Sequence, residues 1–119
     1  MRKRTDFLVI GSGIAGLTFA LKAARYGKVA IVTKSALDDS NTKYAQGGIA
    51  AVFSKPDNFE KHIRDTLIAG DGICNEEVVR MVVQEAPARI QDLIQLGVPF
   101  DKKKDGTYDL AKEGGHTEH

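Results

Sequence analysis

The 119-residue chain has no tryptophan and a single cysteine, Cys74. One thiol excludes an internal disulfide and suits a reducing compartment, so the expected location is cytoplasmic. Charge of either sign is not in excess: 17 Lys and Arg against 16 Asp and Glu leave a formal net charge of +1. That balance gives no electrostatic case for nucleic acid or a membrane surface as partner. No apolar run approaches the roughly 20 residues a membrane span needs. Met1-Arg2-Lys3-Arg4 is basic, but it leads into a predicted strand and lacks the long apolar region and cleavage site of a secretory signal. Internal repeats and low-complexity stretches are also missing. The chain is therefore at most one globular domain, or part of one.

Glycine is plentiful, and its placement is informative. Phe7-Leu8-Val9-Ile10 is an apolar run of β-formers, expected to be buried on both faces as a central parallel strand. It runs directly into Gly11-Ser12-Gly13-Ile14-Ala15-Gly16, and a helical pattern follows at Leu17, Ala20, Leu21 and Ala24. Strand, turn and helix in that order give a G-x-G-x-x-G spacing its physical meaning. Gly11 permits the tight turn, Gly13 lets backbone approach a pyrophosphate, and Gly16 lets helix lie close to strand. The phosphates would rest on unpaired N–H groups at the helix start, where the macrodipole favours negative charge. The plain alternative is a tight turn that binds nothing. The helix is predicted from Ile14 to Tyr26 with Gly27 as its terminating glycine, and a second strand over Lys28–Thr33 completes a βαβ unit.

A dehydrogenase-type fingerprint would place Asp or Glu about 20 residues past the glycines, on the ribose hydroxyls. That place holds Lys34-Ser35, which weakens a nicotinamide reading; Lys34 is either a nucleotide contact or an ordinary exposed charge. Ala36 to Lys43 reads as a polar loop. Tyr44-Ala45-Gln46-Gly47-Gly48-Ile49-Ala50-Ala51-Val52 is rich in small residues, as backbone pressed against something flat would be, or as a turn before a short strand.

Helical patterns fill the second half. Asp57, with Glu60 three residues on, resembles a capping box before an amphipathic helix on Phe59, Ile63, Leu67 and Ala69. His62 is placed near its polar side, as an exposed histidine, and Cys74 is read as a small buried apolar residue. Asn75 is an N-cap, Val78, Val79, Val82, Val83 and Ala86 form an apolar face, and Pro87 is expected to kink or restart the helix. A second stretch through Ile90, Leu93, Ile94 and Leu96 ends at Gly97, with Pro99 beyond. Phe100 to Leu110 is predicted to be a short hairpin turning at Lys104-Asp105-Gly106-Thr107. In the tail, His116 and His119 with Glu113 and Glu118 could suggest a metal, but Gly114-Gly115 argues against a shared helical face and a third firm ligand is lacking, so no metal is expected.

Taken together, Val9–Leu17, Tyr44–Phe53, Asp65-Thr66-Leu67-Ile68-Ala69-Gly70 and Glu113-Gly114-Gly115-His116 resemble the succinate dehydrogenase/fumarate reductase flavoprotein family, and its L-aspartate oxidase branch above all. The resemblance implies an α/β fold: a Rossmann-like FAD-binding βαβ with a parallel sheet, then helices and a short hairpin, as an incomplete domain over residues 1–119. It implies non-covalent FAD and oxidation of L-aspartate to iminoaspartate in NAD biosynthesis, with oxygen or fumarate as acceptor. Gly11, Ser12, Gly13, Ile14, Ala15 and Gly16 would form the cofactor-binding turn, with Ser12 to Ala15 holding the pyrophosphate, and Lys34 would lie at the adenosine side. Asn41, Thr42, Lys43, Tyr44, Ala45, Gln46, Gly47 and Gly48 would run along the flavin. Succinate dehydrogenases carry a flavin-linking histidine where this chain has Asn41, which cannot form that link. Glu113 and His116 would meet the substrate. The arginine that moves the proton lies beyond residue 119 in the family, so no catalytic residue is assigned, and the piece alone is expected to be inactive, to bind FAD weakly and to self-associate. The other readings are a soluble fumarate reductase-like flavoprotein and a nucleotide-binding module without chemistry.

Overall fold

The structure is a computed structural model that describes residues 2–45, 48–55, 57–110 and 115–117. The elements in order are β1 (Phe7–Ile10), α1 (Ile14–Ala23), β2 (Val29–Val32), α2 (Asn41–Tyr44), α3 (Phe59–Ala69) and α4 (Glu76–Gln95). They fall into two compact units, Met1–Gly47 and Gly48–His119.

In the first unit β1 and β2 pair in parallel, Phe7 opposite Val29 through Ile10 opposite Val32. The α1 helix packs on this ribbon and buries Val9, Ala20 and Ala23. Successive strand residues point to opposite faces, so Val9 turns towards α1 while its neighbours turn away. Leu8 and Ile10 are consequently 59% and 83% exposed, against the expectation of a strand buried on both faces. Only one face of the ribbon has a helix packed on it among the described elements.

The α1 helix is shorter than its apolar pattern suggests. It ends at Ala23 with Ala24 as C-cap, and a turn follows in which Tyr26 N–H donates to Ala23 O at 2.9 Å. Gly27 is therefore not the helix terminator. Its role is steric: an added Cβ would stand 2.7 Å from Asp6 Oδ2, which accepts the Lys28 N–H at 2.7 Å and fastens the start of β1 to the start of β2. The expected loop to Lys43 contains a helical turn, α2, capped by Ser40, whose hydroxyl accepts the Lys43 N–H.

In the second unit α3 packs against α4, burying Ile63, Val83 and Ile90. The N-cap of α3 is Asn58, one residue later than expected: its Oδ1 accepts the Lys61 N–H at 3.0 Å, while Asp57 accepts the Asn58 N–H at 2.8 Å. Glu60 does not complete a capping box; it pairs with Arg80 at 2.6 Å. Asn75 caps α4 as expected, accepting from Val78 N–H at 3.1 Å. The helix then runs unbroken through Pro87. Proline lacks the N–H that Val83 O would accept, but Val83 and Ile90, buried on either side of it, hold one continuous rod. Val78 and Val82, expected on the apolar face, are half exposed. The Gly48–Val52 segment forms no strand. Cys74 is half-buried, with its sulfur 3.8 Å from Thr66 O. The expected hairpin is present in small form: Lys102 bridges Tyr108 antiparallel, and Lys103 N–H donates to Thr107 O at 2.8 Å around a turn at Gly106.

Candidate functional site

The glycine turn of the first unit has the geometry of an anion cradle. Gly11 has φ of +100°, a conformation that favours glycine, and its N–H donates to Val32 O at 2.8 Å, tying the turn to β2. At Gly16 an added Cβ would lie 2.5 Å from Gly11 O and 3.3 Å from Val9 Cγ1, so helix and strand touch only because that side chain is absent. Gly13 differs. It is the N-cap of α1, and a Cβ there would meet only Thr42 Oγ1, at 3.7 Å. The fold itself does not exclude a side chain at Gly13.

The first N–H groups of a helix have no acceptor within it. The earliest intrahelical bond at α1 is Leu17 N–H to Gly13 O, and Ile14 N–H donates instead to Thr42 Oγ1 at 3.1 Å. The amides of Ala15 and Gly16 have no acceptor among the described residues. Thr42 thus brings the α2 turn to the glycine turn, with Asn41 opening α2. Lys43 pairs with Asp38, with its ammonium 5.9 Å from the Tyr44 ring centroid. Lys34, Tyr44 and Ala45 are exposed, and Ser12 is buried. Gln46, Gly47 and Glu113 lie outside the described residues.

The second unit contains a cavity of about 390 Å³. Ile49, Phe53, Ile90, Ile94 and Phe100 give it apolar walls, while His62, His116, Asp57, Asp65, Asp101 and Asp109 supply polar groups. Gly48 lines it as well. Of the residues expected in the site, it therefore brings together Gly48 and His116. The His62 and His116 rings lie 4.7 Å apart between centroids, tilted by 41°. Burial holds His62 below its ordinary pKa, helped by the nearby His116 charge and opposed by Asp57 and Asp65. Asp65 accepts two bonds from Thr117, from N–H at 2.6 Å and from Oγ1 at 2.8 Å. Those bonds hold its carboxyl below the usual range, with His116 and His62 adding to the effect. His62 is thus a cavity residue and not the exposed histidine expected. Its helical position, beside buried Ile63, left the choice between cavity and solvent open; its spacing of three from Asp65, which puts both on one face, was the available signal.

The model of the family described as FAD binding domain matches residues 6–119. The chain belongs to the FAD binding domain family. Among its relatives, L-aspartate oxidase 2-a, chloroplastic, of Nicotiana tabacum is 54% identical over 94% of this chain and 17% of its own length. L-aspartate oxidase of Vibrio cholerae is 52% identical over 94% of this chain and 22% of its own. Mycobacterium smegmatis Sdh1 in complex with UQ1 superposes with a TM-score of 0.87 at 37% identity, covering 96% of this chain and 20% of that one. A quinol-fumarate reductase with menaquinol molecules gives 0.87 at 34%, with the same coverage. The chain thus spans about a fifth of the length of the relatives it matches.

FAD is the cofactor of this FAD-binding domain, and the first unit fits it. The helix start offers amides without an acceptor, the turn is pressed tight by Gly11 and Gly16, and Gly13 leaves the approach clear. No helix among the described residues is long and apolar enough to cross a membrane.

Proposed function

We propose that residues 1–119 are the N-terminal, FAD-binding portion of an L-aspartate oxidase, which oxidises L-aspartate to iminoaspartate for NAD biosynthesis in the cytoplasm, with oxygen or fumarate as acceptor. The observation that carries this reading is the identity gap: 45–54% to L-aspartate oxidases of plants and bacteria, against 27–37% to the succinate dehydrogenase and fumarate reductase structures. Asn41 supports it, since an amide at the head of α2 cannot make the covalent flavin link and so favours non-covalent FAD.

FAD, when bound, would supply the hydride acceptor for this oxidation. The chain's own residues bind and orient. The amides at the start of α1 hold the pyrophosphate, with Ser12 to Ala15 around it, and Thr42 fixes the α2 turn beside them. Lys34 serves the adenosine end, and Asn41 to Gly48 run along the flavin. The cavity of the second unit takes the amino acid. Asp57, Asp101 and Asp109 are acceptors for an ammonium, His116 is a donor for a carboxylate, and Ile49, Phe53, Ile90, Ile94 and Phe100 supply apolar walls. Glu113 and His116 are the substrate contacts.

The test is to express the longest reading frame containing this chain, load it with FAD and follow iminoaspartate formation under oxygen and then anaerobically with fumarate. Turnover of L-aspartate supports the reading. Reduction of fumarate with no aspartate turnover in either condition would replace it with the fumarate reductase-like alternative.

A further inference from the structure

The α3 helix faces the 115–117 segment with one side at three successive points, two of them contacts. His62 lies against His116, Asp65 takes both hydrogen bonds of Thr117, and Ala69 Cβ is the nearest atom to a Cβ built on Gly115, at 3.8 Å. Positions 62, 65 and 69 are spaced by three and four, so they form a single stripe along the helix. Gly115, with φ of +88°, turns the segment onto that stripe. The contact joins residues 52 apart in sequence, and the Asp65 carboxylate uses both oxygens, which fixes direction as well as distance.

We infer that His62 and Asp65 are positioning residues for the substrate site, holding His116 at the cavity through the Asp65–Thr117 clasp and the His62 ring. This rests on the proposed function, in which His116 contacts substrate, and it assigns to α3 a task that neither His62 nor Asp65 performs by touching substrate. Without the clasp, His116 is tethered by backbone alone, and misplacement by about 1 Å is enough to cost orders of magnitude in a positioned site.

The test uses the FAD-loaded, full-length protein. Asp65→Asn keeps the shape but replaces an oxygen acceptor by a donor, Thr117→Val removes one donor, and Thr117→Ser restores it. Asp65→Asn is expected to raise KM for L-aspartate roughly tenfold or more, with kcat changed far less and FAD content unchanged. Thr117→Val is expected to follow it, Thr117→Ser to return towards wild type, and the Asp65→Asn/Thr117→Val double variant to be no worse than Asp65→Asn alone. His62→Phe, which keeps a ring against His116, is expected to lose less than His62→Ala. An unchanged KM in Asp65→Asn, or additive effects in the double variant, would overturn the inference. A wild type that does not turn over aspartate overturns the proposed function instead, and positioning is then read from succinate binding through the flavin absorbance. A succinate Kd raised by Asp65→Asn upholds it, an unchanged Kd overturns it, and no succinate binding by wild type overturns both.

Discussion

At the scale of single residues, the glycines of the turn divide by what constrains them. Gly16 is constrained by the fold, because a methyl there meets Gly11 O at 2.5 Å. Gly13 is not constrained by the fold, because a methyl there meets nothing closer than 3.7 Å; in the proposed function its constraint is the pyrophosphate. Alanine at each position should therefore give opposite signatures. Gly16→Ala should lower the unfolding free energy read from urea titration, by about 1–3 kcal/mol if the strain resembles overpacking in a core. Gly13→Ala should leave that free energy within about 0.5 kcal/mol while weakening FAD retention. Equal losses of stability in the two variants would show that the cradle is a structural turn and no more. This division was only partly legible in the sequence. Spacing identified the motif, but the role of Gly27 was misread, since what fills the space beside it is Asp6, 21 residues earlier. The α3 cap was misplaced by one residue because Asp57 and Asn58 are both good caps, and only backbone direction chooses between them.

At the scale of elements, α3 carries ionisable groups whose states are set by what it packs against. His62 is held below its ordinary value of 6.5, so the folded chain resists protonating it, and stability falls as pH drops below that value towards the lowered one. Asp65 is held below its ordinary value of 3.8, so its contribution is complete above that value and is lost as pH falls through the lowered one. The urea midpoint measured across pH should thus decline in two stages, one beginning near 6.5 and one near 3.8. His62→Phe should remove the upper stage and keep the lower; persistence of the upper stage in that variant would assign it to another group. Helix positions themselves were well marked in the sequence, through the Asn75 cap and the apolar spacing of α3. Pro87 was not: a proline predicts a break from local chemistry, and the packing of Val83 and Ile90 on either side decides otherwise. His62 escaped for the same reason, since a cavity wall and a solvent face look alike until the 115–117 segment arrives from far along the chain.

At the scale of the whole molecule, the parallel ribbon of the described residues is uncovered on one face and has two strands only. Leu8, Ile10 and Val32 are 59%, 83% and 53% exposed, together with unpaired strand edges. Such a surface invites pairing with another copy. Sedimentation of the purified 119-residue chain is expected to show concentration-dependent association, reduced by an Ile10→Thr/Leu8→Thr double variant and by the full-length protein. A monodisperse monomer at all concentrations would show that the open face is tolerated.

The Asp65–Thr117 clasp also bears on the order of assembly. A synthesised chain presents α3 long before residue 117, and docking of α3 on α4 shortens the stretch of chain that the clasp must close. The helix pair is then the early event and the cavity the late one. His116 reaches its place only on a scaffold already built, so the cavity wall it supplies is a sign that folding there has finished.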